Sequence, residues 1–563
     1  MKLISLKIEE RFRSLPQNFE IKFQPQIDQT AMSDFRPYCL VGLNGCGKSN
    51  VLEALAHIFY HLELCVSVNL PSQIQASDIF SRTGGKIVSY HLEYYWHDSG
   101  NSSYDTADIV KVTIDKRKNK EPQMFVSSFK DNVNRLVSLN PSVNNDMVAE
   151  GKKYLPQYIV AYSSGENETL SIPFIKSRLL HLDEFREYTS RDYEGFPTAE
   201  NGMIYIDANM SQAILLCCLL FEDEQTLSNL RDYDTTGILG IKQFRMCLRE
   251  HDFISSYSGE NHQFSYFKLL WNNCFEKFRK CATMTWRDTS QNQSVLYYDF
   301  WVNDATKMAF KQHFKSAIEC FQNFRLLYEL NYYKVGIQKE KEIFNSKGIY
   351  TEDKFTLPGP EDDTFHFLDF FITKQITKSG ETKNILLKGF SDGEHQFIHT
   401  MSICLLLKDS DSLVLLDEPE THFNPNWRSR FISMLNNSLR NGCLKSKSDV
   451  PTCNFLKEVL ITSHSPFIIS DCLPNHVIIL NKTENGCTLA ETAIEADIQT
   501  YGTSVNVLTA SIFGNDDSIG HRAYEEMIQI KDNTTDKSRA IAEINKRFGE
   551  SLDKLIVINQ LKE

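Results

Sequence analysis

The sequence predicts an α/β fold: a mixed sheet with flanking helices around a phosphate-binding loop, an antiparallel β subdomain, and a large, mainly helical insertion. Three observations predict it. Cys39-Leu-Val-Gly-Leu-Asn-Gly-Cys-Gly-Lys-Ser49 reads as a short apolar strand, a glycine-rich loop and the start of a helix. Ser412-Leu-Val-Leu-Leu-Asp417-Glu418 reads as a second apolar strand, closed by two adjacent acids. Between them, aromatic residues recur at three- and four-residue steps, the mark of amphipathic helices.

Gly42, Gly47, Lys48 and Ser49 fit the spacing G-x-x-x-x-G-K-[ST]. Glycines let successive backbone N–H groups turn inward around phosphate oxygens with no Cβ in the way. Lys48 is the residue to reach the β- and γ-phosphates, and the Ser49 hydroxyl takes a place on Mg²⁺. Asn44, Gly45 and Asn50 are the further candidate contacts of this loop. The helix that follows, with Val51, Leu52, Leu55, Ile58, Phe59 and Leu62 on one face, points its N-terminus at the anion.

Bulk composition narrows the class. A chain of 563 residues, 41% hydrophobic and 24% charged, is long enough for two or more cores. A net charge of −13 argues against nonspecific coating of nucleic acid, while leaving room for a local basic groove. The basic cluster Lys116-Arg-Lys-Asn-Lys120 reads as a solvated hairpin tip. The 14 cysteines form no C-x-x-C pair, so no zinc framework is visible, and several sit in apolar runs, which suits a reducing cytosol. The start, Met1-Lys-Leu-Ile-Ser, lacks a signal-peptide core, and the apolar run Ala213–Phe221 is too short for a membrane span. The expectation is a soluble, cytoplasmic protein.

Taken in order, Lys2–Lys7 and Phe19–Phe23 read as strands flanking Arg11–Pro16. Ile87–Tyr95 and Ile109–Ile114 read as strands with a turn at Asn101–Ser103, and Gln157–Tyr162 as a buried strand. Met210–Glu222 reads as a buried helix. Phe264, Phe267, Trp271, Phe275 and Phe278 form one aromatic stripe, and Phe310, Phe314, Ile318, Phe321, Phe324 and Tyr328 a second, with a strand at Ser294–Phe300 between them. Such stripes could stack bases, but at helical spacing they read as core. No heptad run marks a coiled-coil arm. Glu352–Asp363 reads as a connector, followed by a hairpin turning at Lys378–Gly380, and a charged helical segment begins at Ser518. The expected boundaries are 1–170, 171–365 (the insertion), 366–510 and 511–563.

Asp417 is placed to hold Mg²⁺ through its shell, and Glu418 to orient and deprotonate an attacking water. Upstream, Phe390-Ser391-Asp392-Gly393-Glu394-His395-Gln396 opens an apolar helix and offers a second anion-binding N-terminus. Downstream, Val459-Leu-Ile-Thr-Ser-His464 is an apolar strand ending in a histidine that could reach a γ-phosphate if the strand neighbours that of Asp417.

The ordered set of P-loop, Gly389-Phe-Ser-Asp-Gly-Glu-His-Gln396, Asp417-Glu-Pro-Glu-Thr-His-Phe-Asn-Pro425 and Ser463-His-Ser-Pro466 resembles the ABC-type ATPase heads of the SMC/RecF/OLD group over residues 1–60 and 385–510. Phe390 stands where leucine is commoner. The resemblance implies an ATP- and Mg²⁺-dependent head-to-head dimer, in which Ser391, Gly393 and Glu394 of one subunit close on ATP held by the other. It also implies a nucleotide-contacting arginine at Arg13, catalytic roles for Glu418 and His464, and a Q-loop best sought between Gln157 and Gly165. Ala161-Tyr-Ser-Ser-Gly-Glu-Asn-Glu168, the helical insertion and Tyr501-Gly-Thr-Ser504 are similar to the ATPase subunit of Septu-type antiphage systems. Those ATPases also accompany some retrons and work with an HNH-nuclease partner.

Expected partners are therefore a second copy in a homodimer or higher even oligomer, an HNH-type nuclease, a reverse transcriptase with its RNA/DNA product, and nucleic acid. Two readings compete: a RecF/SMC-like repair ATPase without a nuclease partner, and an OLD-like nuclease with its own Toprim domain. The Toprim reading needs an Asp-x-Asp after the ATPase, and none follows His464. A transporter ATPase fits poorly, because Asp-Glu-Pro-Glu-Thr-His and the large insertion are unlike that class.

Overall fold

The computed structural model describes residues 1–23, 36–67, 70, 80–97, 109–128, 133–141, 148–165, 167–190, 202–207, 210–249, 274–289, 294–332, 337–346, 348–349, 351–354, 363–440, 456–483, 488–515 and 519–562. Strands β1 (Lys2–Ile8) and β2 (Phe19–Lys22) precede β3 (Tyr38–Val41), which leads through the P-loop into α1 (Lys48–Val66). β4 (Tyr90–His97), β5 (Ile109–Lys116), β6 (Gln123–Ser128) and β7 (Asn134–Val137) follow. They join the first two strands in an antiparallel sheet ordered β2-β1-β4-β5-β6-β7. Residues 117–120 turn between β5 and β6 as the basic cluster suggested, but Lys116 itself is buried, its ammonium donating to the Thr83 carbonyl at 2.9 Å.

Next come β8 (Tyr158–Ser163), α2 (Glu168–Ser190), β9 (Met203–Tyr205), α3 (Ser211–Phe221), β10 (Ile238–Arg249), α4 (Glu276–Cys281), β11 (Met284–Asp288), β12 (Val295–Trp301), α5 (Asp304–His313) and α6 (Ala317–Glu329). β13 (Phe365–Gln375) and β14 (Thr382–Leu386) make the expected hairpin and complete a five-stranded antiparallel sheet ordered β11-β12-β10-β13-β14. The expected insertion thus brings its helices together with a sheet that residues beyond 363 finish. The second aromatic stripe is two helices: Phe314 ends α5, and Ser316 caps α6 by accepting from Glu319 N–H. Phe278, Phe310, Phe314 and Phe324 are buried, as is the stacked pair Phe244–Phe300 with centroids 4.3 Å apart. Phe264, Phe267 and Trp271 of the first stripe, the Asn101–Ser103 turn and most of the Glu352–Asp363 connector lie outside the described residues.

The chain ends with α7 (Asp392–Leu406), β15 (Ser412–Asp417), α8 (Pro425–Arg440), β16 (Lys457–Thr462), α9 (Pro466–Ser470), β17 (Val477–Lys482), β18 (Thr488–Thr492), α10 (Val505–Phe513) and three helices, α11 (His521–Asn533), α12 (Lys537–Arg547) and α13 (Leu552–Lys562). The last three enclose a small core of their own around Met527, Ile544 and Val557. The central sheet runs β18-β17-β3-β16-β15-β8-β9, all parallel except the β17–β18 edge. A parallel strand covered on both faces is apolar through its middle, as Leu413–Leu416 of β15 and Val459–Ile461 of β16 are. Leu413 and Leu415 face one core, shared with α1 and the six-stranded sheet. Val414 and Leu416 face the other, shared with α3, α7 and the five-stranded sheet. Among the described residues no helix is long and apolar enough to cross a membrane.

Candidate nucleotide site

Four parallel strands, β3, β8, β15 and β16, deliver their carboxyl ends to one place, where an open α/β sheet binds its ligand. The register makes the convergence specific: Asp417 lies opposite Thr462 on one side and Ser163 on the other. Thr462 in turn lies opposite Leu40, two residues before the P-loop.

The P-loop needs its glycines. Gly42 sits at φ +139°, and a Cβ there would come within 2.3 Å of the Leu480 carbonyl oxygen. Gly47 caps α1 in the left-handed region, and a Cβ would lie 2.6 Å from Ser14 Oγ. Lys48 is buried, its ammonium donating to the carbonyls of Gly42 (3.0 Å) and Leu43 (3.2 Å). Burial pulls its pKa below the ordinary lysine value, against the opposing pull of Cys46, Glu418 and Asp417. Ser49 Oγ donates to Asp417 Oδ1 at 2.8 Å, so the two residues expected to share a cation are in contact. Both present oxygen, the donor type that Mg²⁺ takes, and with the phosphate cradle beside them the residues fit a nucleotide and its ion.

Asp417 is buried and fully used. Its Oδ1 also accepts from Thr462 Oγ1 at 2.7 Å, and its Oδ2 from Asn167 Nδ2 at 2.6 Å and more distantly from Ser163 Oγ at 3.5 Å. Glu418 departs from strand geometry, with φ +49°. Its N–H reaches Thr462 Oγ1 at 3.0 Å, and its Oε1 lies 3.3 Å from His464 Nε2. The bond from His464 outweighs burial and holds the Glu418 pKa below the usual carboxylate range. His464 therefore meets the Glu418 carboxylate directly.

The remaining expected residues divide. Ser391 caps α7 in a reciprocal capping box with Glu394, and Gly393 packs so closely that a Cβ would lie 2.8 Å from the His422 carbonyl oxygen. The Glu394 carboxylate is occupied within its own subunit by Ser391 and Lys374. Arg13 pairs with Glu53 of α1, Nη2 to Oε1 at 2.9 Å. Asn50 donates to Ser14 Oγ at 2.7 Å. Asn44 and Gly45 lie on the exposed tip of the loop.

In the Gln157–Gly165 stretch where the Q-loop is best sought, Ser163 reaches Asp417, and so does Asn167 just past it, which sequence reasoning did not single out. Gln157 precedes β8, whose first residue Tyr158 bonds Asp411 ahead of β15, at the end of the sheet away from Asp417. Three other residues were missed. Thr462 bridges Asp417 and Glu418; Gln396 donates to the Glu418 carbonyl at 3.4 Å and accepts from His422 N–H at 2.8 Å, tying α7 to the segment after β15. Lys482 places its ammonium 3.4 Å from where a Cβ on Gly45 would stand, a cation beside the loop tip.

Glu420 lies beneath this site, buried and bonded to Ser463. Burial pushes its carboxyl up to about 7, with Glu418 adding to the rise and Ser463 and Arg428 opposing it. The native state then keeps a proton that the unfolded chain gives up, so stability is full below the ordinary Glu range and falls as pH rises to about 7. The loss amounts to about 3 kcal/mol. Glu420→Gln, permanently neutral, is expected to be less stable or equal at pH 5 and the more stable at pH 8. Melting curves across that range check it; a wild type and variant that stay parallel contradict it.

A lysine and serine in a phosphate cradle, a buried aspartate against the serine, and a glutamate turned out of its strand against a histidine form one constellation. Together they form a P-loop-type phosphate site with an acidic strand end beside it. A family model described as "AAA domain, putative AbiEii toxin, Type IV TA system" matches residues 291–470, the stretch holding α7, Asp417, Glu418 and His464 but not the P-loop. No curated protein matches the chain in sequence. Solved structures similar to it include an SMC head bound to the C-winged helix domain of ScpA, at 10% identity and TM-score 0.32, covering 88% of this chain and 100% of that one. The SMC head domain from Thermotoga maritima gives 10% identity and TM-score 0.30 over 87% and 99%. The Smc head from Pyrococcus furiosus, bound to the C-terminal domain of ScpA, gives 13% and 0.30 over 88% and 98%.

Proposed function

We propose that this chain is the ATP-binding and hydrolysing subunit of a cytoplasmic antiphage defence complex, working as head-to-head dimers that regulate a partner HNH-type nuclease. The observation that carries the ATPase reading is the pairing of Ser49 with Asp417 and of Glu418 with His464 at the ends of adjacent strands. Ser49 and Asp417 would hold Mg²⁺, which supplies charge neutralisation on the phosphates. Lys48 binds the β- and γ-phosphates, Glu418 takes the proton of the attacking water, and His464 keeps that carboxylate ionised and aimed.

Closure follows from the same residues. Ser391 and Gly393 add contacts to the γ-phosphate held by the partner head; hydrolysis removes them, so ATP biases a two-state dimer. The defence role is supported by the likeness of Ala161–Glu168 and Tyr501–Ser504 to Septu-type ATPases, and by a family description that names a toxin. A reverse transcriptase with its RNA/DNA product is a further partner in the retron-associated version. The competing reading is a repair ATPase of the RecF/SMC kind, which binds nucleic acid without a nuclease.

A pull-down separates the two. Tagged Glu418→Gln, expressed from its own genomic neighbourhood to trap the closed form, is expected to bring down a small HNH protein identified by mass spectrometry. A bare homodimer holding DNA would move the chain to repair.

A further inference from the structure

The start of α7 poses an electrostatic problem. It reads Ser391-Asp392-Gly393-Glu394, so two carboxylates stand on the turn that closure sets against a triphosphate, and anions facing an anion repel. Glu394 is answered on both oxygens. Oε2 accepts from Ser391 N–H at 2.9 Å and Ser391 Oγ at 3.0 Å, which shapes the turn, and Oε1 takes the ammonium of Lys374. That ammonium also stands 4.5 Å over the Phe390 ring, and both charged side chains are less than a fifth exposed. Charge-assisted bonds of this kind are the strong ones.

Lys374 does not come from the nucleotide-binding sheet. It sits on β13, opposite Ile238 of β10 and Lys383 of β14. On its other flank the turn rests on the segment after β15 through the contact of Gly393 with the His422 carbonyl. The turn is thus gripped between the five-stranded sheet and the segment that follows Asp417 and Glu418.

We propose that Lys374 is a positioning residue for ATP-driven closure. It neutralises Glu394, holds the Ser391–Glu394 turn ready for the partner's γ-phosphate, and makes closure answer to the five-stranded sheet. This rests on the closed dimer proposed above.

The test measures dimerisation with ATP by light scattering in the Glu418→Gln background, beside the affinity of one head for a fluorescent ATP analogue. Adding Lys374→Met is expected to leave nucleotide affinity within about twofold and raise the protein concentration needed for dimerisation roughly tenfold. Lys374→Arg restores closure. Pairing Lys374→Met with Glu394→Gln recovers most of it, because the uncompensated charge is gone. A Lys374→Met variant that dimerises like its parent overturns the inference alone, as does one rescued by neither change, whose defect is then a packing defect. A parent that binds ATP and stays monomeric overturns the closed-dimer reading, and this inference with it.

Discussion

Glu418→Gln is expected to bind ATP normally, hydrolyse it at least ~10²-fold more slowly, and accumulate as a closed dimer. The size of the effect follows from where Glu418 sits. The left-handed turn at φ +49° takes its side chain out of the alternation of β15, and its backbone N–H, donating to the carbonyl and hydroxyl oxygens of Thr462, holds it there. Glutamine keeps the shape and a partner for His464 but has no basic oxygen for the proton of water. Geometry survives and chemistry does not. Phosphate release after mixing with ATP and Mg²⁺ measures the rate, and light scattering the dimer. A variant that releases phosphate at the wild-type rate shows that Glu418 is not the base.

The parts of the site readable in the sequence are those whose chemistry is local. The P-loop is contiguous, and its glycines are needed by the backbone itself, as the close approach of Gly42 to Leu480 makes plain. β15 and β16 stood out because strands covered on both faces have apolar middles, Leu413–Leu416 and Val459–Ile461, leaving Asp417 and Glu418 conspicuous at the end of one of them. Asn167 was not readable. Its value lies in reaching Asp417 across 250 positions, which depends on β8 pairing with β15. Thr462 looked like an ordinary strand residue until its hydroxyl was seen between Asp417 and Glu418. Lys374 needed both the five-stranded sheet and the start of α7.

The five-stranded sheet was half-hidden for a related reason. β12 and the β13–β14 hairpin were visible as strands, but β10 mixes Lys242, Arg245 and Arg249 with its apolar positions. Arg245 and Arg249 belong to the face away from the core, where Arg245 pairs with Asp299 across the sheet. Periodicity alone gives no partner for such a strand. The aromatic stripes, by contrast, resolved as core because Phe310, Phe314, Phe321 and Phe324 each lie within the large apolar cluster.

Lys48→Ala is the second large effect, and it acts one step earlier, on binding. The Lys48 ammonium is buried at the mouth of the cradle, with Glu418 and Asp417 near enough to oppose the fall in its pKa. A triphosphate entering there supplies charged acceptors in place of the neutral Gly42 and Leu43 carbonyls that the ammonium now meets. Without the lysine, the phosphates face Asp417 and Glu418 with one buried cation fewer to balance them. Affinity for ATP is expected to fall by ~10²-fold or more, the scale for removing one partner of a buried charge pair. The fold should not suffer to match, because the variant removes a buried charge whose partners are carbonyls rather than an ion pair. Titration with a fluorescent ATP analogue and a melting curve of the same preparation check both halves. Retained affinity would place the phosphates elsewhere; lost affinity with an unchanged melting temperature assigns Lys48 to the nucleotide and, unlike Glu418→Gln, predicts a variant that never closes.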